Sequence, residues 1–393
     1  MFELEEVNTV TNRARLRVIG VGGAGGNAVN NMIAAGLEGV EFIVMNTDSQ
    51  DLISSLAPVR VQLGESLTRG LGAGADPEKG RGAAQEVRDE IAAVLEGSDM
   101  VFITAGMGGG TGTGAAPVIA EIAREQNILS VAVVTKPFTF EGLRRSRNAE
   151  SGLKELKQHV DAIITIPNNR LLTVAKDRPF LEAFRIADDV LRQGVQGISD
   201  IIQVSGLINA DFADVHAIMS GMGRAVMGTG RAGGERRVES AAKQAISSPL
   251  LDDVTIDGAK GVLVNITGGP SMTLTDANEG LSLIQELADE EANIIFGAVI
   301  NPDLDDEVQV TVIATGFDER RVGTKPEKSA EWVRRTLASA PRGADRVLNK
   351  EYRELSLDFS PEPQINEDPL DVPTFLRQAA AKTRNSVFGS RAS

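Results

Sequence analysis

Cysteine is absent from this 393-residue chain, which excludes disulfides, thiolate metal centres and cysteine nucleophiles. Histidine is nearly absent. His159 and His216 are the only two, they stand at no metal-ligand spacing, and both read as structural. No apolar run approaches the roughly 18 residues of a membrane span. The acidic start, Met1-Phe2-Glu3-Leu4-Glu5-Glu6, predicts no signal peptide, so the cytoplasm is the expected compartment. Positive charge is in deficit, with 40 Lys and Arg against 55 Asp and Glu. The net −15 disfavours nucleic acid and anionic membrane as direct partners.

Hydrophobic residues make up 42% of the chain, enough for full-sized cores, and the length suggests two or three domains. The densest glycine stretch is Ala105-Gly106-Met107-Gly108-Gly109-Gly110-Thr111-Gly112-Thr113-Gly114-Ala115-Ala116-Pro117. An apolar run, Met100 to Thr104, enters it, and a helical pattern, Val118 to Arg124, leaves it. Strand, glycine loop and helix form the layout of a phosphate-binding turn. Without Cβ atoms the backbone N–H groups can approach an anion closely, and the helix start adds unpaired N–H groups and a positive dipole end. Thr111 and Thr113 add hydroxyls, and Pro117 is expected near the first helical turn, where its missing N–H costs nothing. The stretch lacks the Lys-Ser/Thr ending of a Walker loop. Neutral donors would therefore hold the phosphates, and a divalent cation becomes more necessary.

Gly108-Gly109-Gly110-Thr111-Gly112-Thr113-Gly114 resembles the signature loop of the tubulin/FtsZ family of GTPases. The resemblance runs from about Leu16 to Phe317 and includes a short C-terminal peptide. It implies a self-assembling GTPase of bacterial cell division, located at the mid-cell ring, that binds GTP and GDP with Mg2+ and grows head-to-tail filaments. The fold expected is a doubly wound, mainly parallel α/β GTPase domain, a long central helix and a second α/β domain with a mixed sheet. A disordered C-terminal tail follows.

Residues 1–14 read as a flexible arm, and 15–176 as the nucleotide-binding domain. In the latter, the strand Leu16 to Val21 runs into Gly22-Gly23-Ala24-Gly25-Gly26-Asn27 and a helix from Ala28 to Ala35, a second phosphate turn. Gly20, Gly22 and Gly25 also fit the G-x-G-x-x-G spacing of a dinucleotide site, with Asp48 at the end of the next strand, so an NAD-dependent oxidoreductase is a competing reading. It leaves Gly108–Gly114 unexplained and lacks an evident acid or base for hydride transfer. A third small-residue loop holds Gly72, Ala73, Gly74 and Asp76. The resemblance takes it to the γ-phosphate, with Asp76 where Asn is common; otherwise it is an ordinary flexible loop. The strand Ile128 to Thr135 leads to Glu141 and Arg145, and the strand Val160 to Ile166 leads to Asn168. The resemblance assigns Glu141 to the ribose, Arg145 to sugar or base, and Asn168 to the nucleotide. Glu141 and Arg145 also suit plain surface charges at a helix start.

Phe180, Phe184, Ala187, Leu191, Val195, Ile198 and Ile202 recur at three- and four-residue steps and predict a helix over 178–203, within a segment 177–204. About 25 residues at 1.5 Å each span roughly 38 Å. Phe184 can stack on a base or serve as core. Asp188 can accept two N–H groups from guanine's Watson–Crick edge, which adenine does not offer. Gly194 and Gly197 read as close-packing points. The next segment, 205–317, is the expected second α/β domain, with helices near 212–227, 236–247 and 275–290 and strands at 261–267, 293–301 and 308–315. It opens with Asn209-Ala210-Asp211-Phe212-Ala213-Asp214, similar to the family's catalytic loop. Asp211 and Asp214, with Asn209, can polarise water or hold a cation, or they merely cap a helix. Glycine loops at one end of the central helix and acids at the other predict that the acids serve a neighbour's nucleotide, so hydrolysis requires assembly. If the acids are only caps, the chain is a nucleotide-gated scaffold that does not hydrolyse.

From 318 to 368 Lys, Arg, Glu, Ser and Pro dominate, around the single Trp332, and a flexible linker is expected. Asp368-Pro369-Leu370-Asp371-Val372-Pro373-Thr374-Phe375-Leu376-Arg377 is an apolar cluster too short for a core. It reads as a docking peptide within 369–380. By resemblance its partners are membrane-tether and regulatory division proteins of the FtsA, ZipA or SepF kind. The tail 381–393 carries Lys382, Arg384 and Arg391 and no acid.

Overall fold

The computed structural model describes residues 13–174, 180–204, 206–251, 258–288 and 291–317. The expectations for the first 12 residues, the linker, the docking peptide and the basic tail fall outside these residues. The strands are β1 (Leu16–Val21), β2 (Val40–Asn46), β3 (Val59–Gln62), β4 (Met100–Gly106), β5 (Leu129–Lys136), β6 (Ala162–Pro167), β7 (Gly223–Gly233), β8 (Gly261–Gly268), β9 (Asn293–Ile300) and β10 (Glu307–Thr315). The helices before the middle of the chain are α1 (Gly22–Ala34), α2 (Ser49–Ser54), α3 (Glu65–Thr68), α4 (Pro77–Glu86), α5 (Arg88–Leu95), α6 (Thr111–Glu125), α7 (Leu143–Leu156) and α8 (Asn168–Val174). After them come α9 (Phe180–Gln203), α10 (Phe212–Met219), α11 (Arg237–Ile246) and α12 (Leu274–Leu287).

The described strands form one sheet in the order β3-β2-β1-β4-β5-β6-β7-β10-β8-β9. Every pair from β3 across to β7 is parallel, β10 runs antiparallel to β7 and β8, and β9 is parallel to β8. The parallel strands read as near-continuous apolar runs because helices cover both faces. Alternate side chains divide between two cores. Val18, Val44, Phe102 and Val133 pack with Leu191, Val195 and Ile198 of α9 on one face. Ile19, Ile43, Ile103 and Val134 pack with Ile119 and Ile122 of α6 on the other. A third core fills the second half of the sheet around Val262, Val264, Val310 and Val312.

β2 and β4 lie on opposite sides of β1, so the strand order reverses between β1 and β4. Open α/β sheets bind ligands outside the carboxyl ends of the strands at such a switch point. Those ends are Val21 and Gly106.

The structure redraws three local expectations. α1 starts at Gly22 and α6 at Thr111, so the residues expected as loops are largely the first turns of the helices. Pro117 consequently lies inside α6 rather than at its start. The helix expected over 212–227 stops at Met219, and 223–233 is β7. Its glycines hide it: a Cβ on Gly228 or Gly230 would collide with the carbonyls of Ala245 or Ala241 in α11. Glycine here serves close helix-on-strand packing, at the expense of the β-branched signal by which strands are recognised.

Candidate functional site

A cavity of about 280 Å³ opens at the switch point, floored by the starts of α1 and α6. Gly22, Gly23 and Ala24 line it from one helix, and Gly109, Gly110, Thr111 and Gly112 from the other. The two starts adjoin, since a Cβ on Gly22 would lie 3.0 Å from the Gly112 nitrogen. Neither helix start is capped by a side chain. Two sets of backbone N–H groups and two positive dipole ends therefore converge on one cavity, a setting for a multiply charged anion.

Polar and aromatic groups form the walls. Glu141 Oε1 accepts from the Phe138 N–H at 2.9 Å, and its Oε2 accepts from Arg145 Nη1 one helical turn on. Both Glu141 and Arg145 line the cavity, and each orients the other. Phe184, at the first turns of α9, meets Phe138 edge to face with ring centroids 5.4 Å apart, and one face of the cavity is its own. Asp188, one turn further, is half-buried, and burial pushes its carboxyl up to about 6. Asn168, the first residue of α8, is buried with no hydrogen-bond partner for its Oδ1. A buried orphan acceptor at a cavity wall marks a place for a ligand donor or water.

Other candidate residues stand behind the cavity rather than on it. Gly25 packs α1 onto the sheet, because a Cβ there would collide with the Thr104 carbonyl. Gly26 is buried beside it, and Asn27 faces outward. Gly114 seats α4 on α6, where a Cβ would collide with the Pro77 carbonyl. Gly108 holds φ +105°, a conformation open to glycine, and its N–H donates to Thr113 Oγ1 at 2.8 Å. The Thr113 hydroxyl thus braces the turn. Gly72, Ala73 and Gly74 lie in a loop tied to the end of β2 by Gly72 N–H to the Thr47 carbonyl at 3.2 Å. Asp76 Oδ1 caps α4 by accepting from Glu78 N–H at 3.1 Å, which gives that acid an occupation. Asp48 likewise caps α2 through Gln50 N–H at 2.9 Å, whereas the dinucleotide reading needs that carboxylate on a ribose.

Comparison with known proteins decides the family. A model of the tubulin/FtsZ family GTPase domain matches residues 15–176, and one of the FtsZ family C-terminal domain matches residues 223–318. A cell division protein FtsZ of Azotobacter vinelandii is 50% identical over 400 residues, covering 97% of this chain and all of that protein. The chain belongs to the FtsZ family of cell-division GTPases. Its fold resembles that of a solved, empty FtsZ dimer from M. jannaschii: TM-score 0.76, 45% identity, 78% of this chain and 89% of that one. A GTPgS-bound CetZ2 protofilament from Haloferax volcanii, at 21% identity, shares the fold with TM-score 0.67 over 82% of this chain and 98% of that one.

In this FtsZ-family chain the acids of the 209–214 stretch lie past the far end of α9. Asp211 N-caps α10, its Oδ1 accepting from Asp214 N–H at 2.8 Å. Both carboxylates are exposed. Asn209 Oδ1 accepts from Gly206 N–H at 2.8 Å, and its Nδ2 donates to the Val204 carbonyl, which closes the loop. None of the three lines the cavity. Sequence reasoning did not single out Thr135, Pro137, Ala187 or Leu191, which do. Ala187 lies three residues after Phe184 and Leu191 three after Asp188, within the same periodicity that predicts the helix, and that periodicity alone does not separate a lining position from a core one.

Proposed function

We propose that the cavity binds GTP and GDP, and that hydrolysis occurs within a head-to-tail polymer where Asp211 and Asp214 of the next subunit reach the bound triphosphate. The polymer would build the mid-cell division ring. The cavity's chemistry supports this ligand part by part. The two uncapped helix starts suit a chain of phosphates, with Gly72–Gly74 and Gly108–Gly114 shaping the approach. Glu141 and Arg145 suit the ribose, Phe184 a planar base, and Asp188 the paired N–H donors of guanine. Mg2+ arriving with the triphosphate would neutralise charge on the phosphates. Water would attack the γ-phosphorus, the bond to the bridging oxygen would break, and GDP and phosphate would leave. Asp211 and Asp214, oriented by Asn209, would polarise that water and take its proton. Among the described residues, the arginine that lines the cavity, Arg145, is paired with Glu141 and assigned to the ribose, so no guanidinium is left for the phosphates and slow turnover is expected.

One observation carries the shared site. The cavity lining on α9 ends at Leu191, and the helix continues to Gln203 before the acids begin. Those 12 residues span about 18 Å at 1.5 Å each, far beyond hydrogen-bond reach. This is half the full-helix figure taken from sequence, because the cavity extends along the helix, yet it still favours a neighbour's acid over the chain's own. A bottom-to-top contact of this kind is heterologous and grows a filament. The division into 15–176, 177–204 and 205–317, and the docking of tether and regulatory proteins on 369–380 at the end of the linker 318–368, belong to the same proposal.

The test mixes two inactive variants, Asp211→Ala and the nucleotide-binding variant Asp188→Ala, and measures phosphate release from GTP. Recovery of activity is expected, because an Asp188→Ala chain can lend its acids to an Asp211→Ala neighbour. No recovery in any mixture would overturn the shared site. The cap made by Asp211 favours a second reading, a nucleotide-gated scaffold without hydrolysis. GTP-dependent light scattering without phosphate release would support that one.

A further inference from the structure

The structure assigns a task to a residue that stands one layer behind the cavity and does not itself line it. Thr47 follows β2 and is fully buried. Its Oγ1 lies 2.6 Å from Oγ1 of Thr111, the first residue of α6 and part of the cavity lining. Its carbonyl accepts from Thr68 Oγ1 and from Gly72 N–H, each at 3.2 Å. One buried residue thus joins the α6 start to the loop of Gly72–Gly74. Among the described residues, Thr111 Oγ1 is the one hydrogen-bond partner of the Thr47 hydroxyl.

That geometry orders the protons. A buried O–H left without an acceptor is costly, so Thr47 donates and Thr111 accepts. The Thr111 proton is then released from Thr47 and can turn into the cavity. We propose that Thr47 is a positioning residue that makes Thr111 a hydrogen-bond donor to a nucleotide phosphate oxygen. This rests on the GTP reading above and deepens it. Thr111 supplies a donor of fixed sense next to the helix N–H groups, and an anionic oxygen is the acceptor such a donor favours. Because the Thr47 carbonyl also holds Gly72, a shift of the loop and a shift of Thr111 are coupled through one residue.

The test measures equilibrium binding of GTP, GDP and guanosine to the full chain and to Thr47→Val, Thr47→Ser, Thr111→Val and the Thr47→Val/Thr111→Val double variant. Thr47→Val should weaken GTP and GDP about tenfold, the worth of one hydrogen bond of ordinary strength, and leave guanosine within about twofold. Thr47→Ser, which keeps the hydroxyl, should stay within about twofold of the parent for all three ligands. The double variant should bind no more weakly than Thr111→Val, since both remove the same interaction. In steady state Thr47→Val should raise KM for GTP more than it lowers kcat. Should Thr47→Val fail to fold, the smaller Thr47→Ala carries the same expectation. Unchanged GDP binding in the Thr47 variants, equal loss of guanosine, or multiplying losses in the double variant would each overturn the inference alone. A parent chain that binds no guanine nucleotide would overturn the inference together with the GTP reading.

Discussion

Asp211 holds the backbone of Asp214: its Oδ1 accepts that residue's N–H at 2.8 Å, so one of the two acids proposed for catalysis also starts α10. Stability and activity are therefore mixed in any Asp211→Ala measurement. Asparagine caps about as well as aspartate, whereas alanine costs about 1 kcal/mol. Asp211→Asn is expected to keep the parent's melting temperature and lose GTP turnover at least about tenfold; Asp211→Ala loses both. Asp214→Asn leaves the cap intact and should lose turnover alone. Phosphate release and thermal melts, run together, check this. Full turnover in Asp211→Asn would leave only the cap.

On the proposed guanine contact, Asp188 should make nucleotide binding depend on pH. Burial raises its carboxyl from 3.8 to about 6, so in the nucleotide-free fold it is protonated below that value. Guanine requires the ionised form to accept two N–H groups. Affinity for GDP should be level above pH 6 and fall by up to about tenfold per unit below it, as binding expels a proton. The nucleotide-free fold has the opposite dependence. A raised carboxyl pKa penalises the charged form, so Asp188's cost to stability is absent below about pH 4, grows up to about pH 6 and is constant above. Titration calorimetry from pH 5 to 8 reads the first effect. Asp188→Asn should bind weakly with little slope, and an identical slope there would remove Asp188 from the base site.

Two glycines of one motif should behave oppositely. A Cβ on Gly114 collides with the Pro77 carbonyl, so Gly114→Ala forces α4 and α6 apart at a cost of about 1–3 kcal/mol. A Cβ on Gly109 meets nothing within 4 Å, and Gly109 lines the cavity. Gly109→Ala should melt with the parent and bind GTP more weakly, because the methyl occupies the approach of the phosphates. Melting curves and binding isotherms separate the two.

Removing the orphan acceptor of Asn168 should raise stability and weaken the proposed nucleotide binding. Asn168→Leu removes a buried carbonyl that lacks a partner. The nucleotide-free chain should gain about 1 kcal/mol, or about 2 °C in Tm, while nucleotide affinity drops. Equal melting temperatures with unchanged binding would show that water alone satisfies that oxygen.

Much of the cavity lining was legible because its signals are local. Gly22–Ala24 and Gly109–Gly112 announce themselves as glycine between strand and helix, and Phe184 and Asp188 as neighbours on one helix. What stayed hidden depends on partners distant in sequence. Gly25 and Gly114 belong to the phosphate-turn pattern, and their close approach to the carbonyls of Thr104 and Pro77 is a second demand for glycine that the pattern does not reveal. β7 went unread because α11 demands glycine where strand chemistry would place valine.

Local chemistry in the chain determined the glycine turns, the apolar parallel strands, the amphipathic central helix and the acidic Asn209–Asp214 stretch, since each is written in neighbouring residues. Tertiary structure alone decided that the ends of β1 and β4 meet at one switch point, that Thr47 reaches Thr111 across 64 positions, and that the cavity lining stops at Leu191, 12 residues short of the end of α9. Spacing along a chain fixes which residues share a helix face or a strand end. Distances between separate elements come from how the sheet orders its strands and how each helix packs across them.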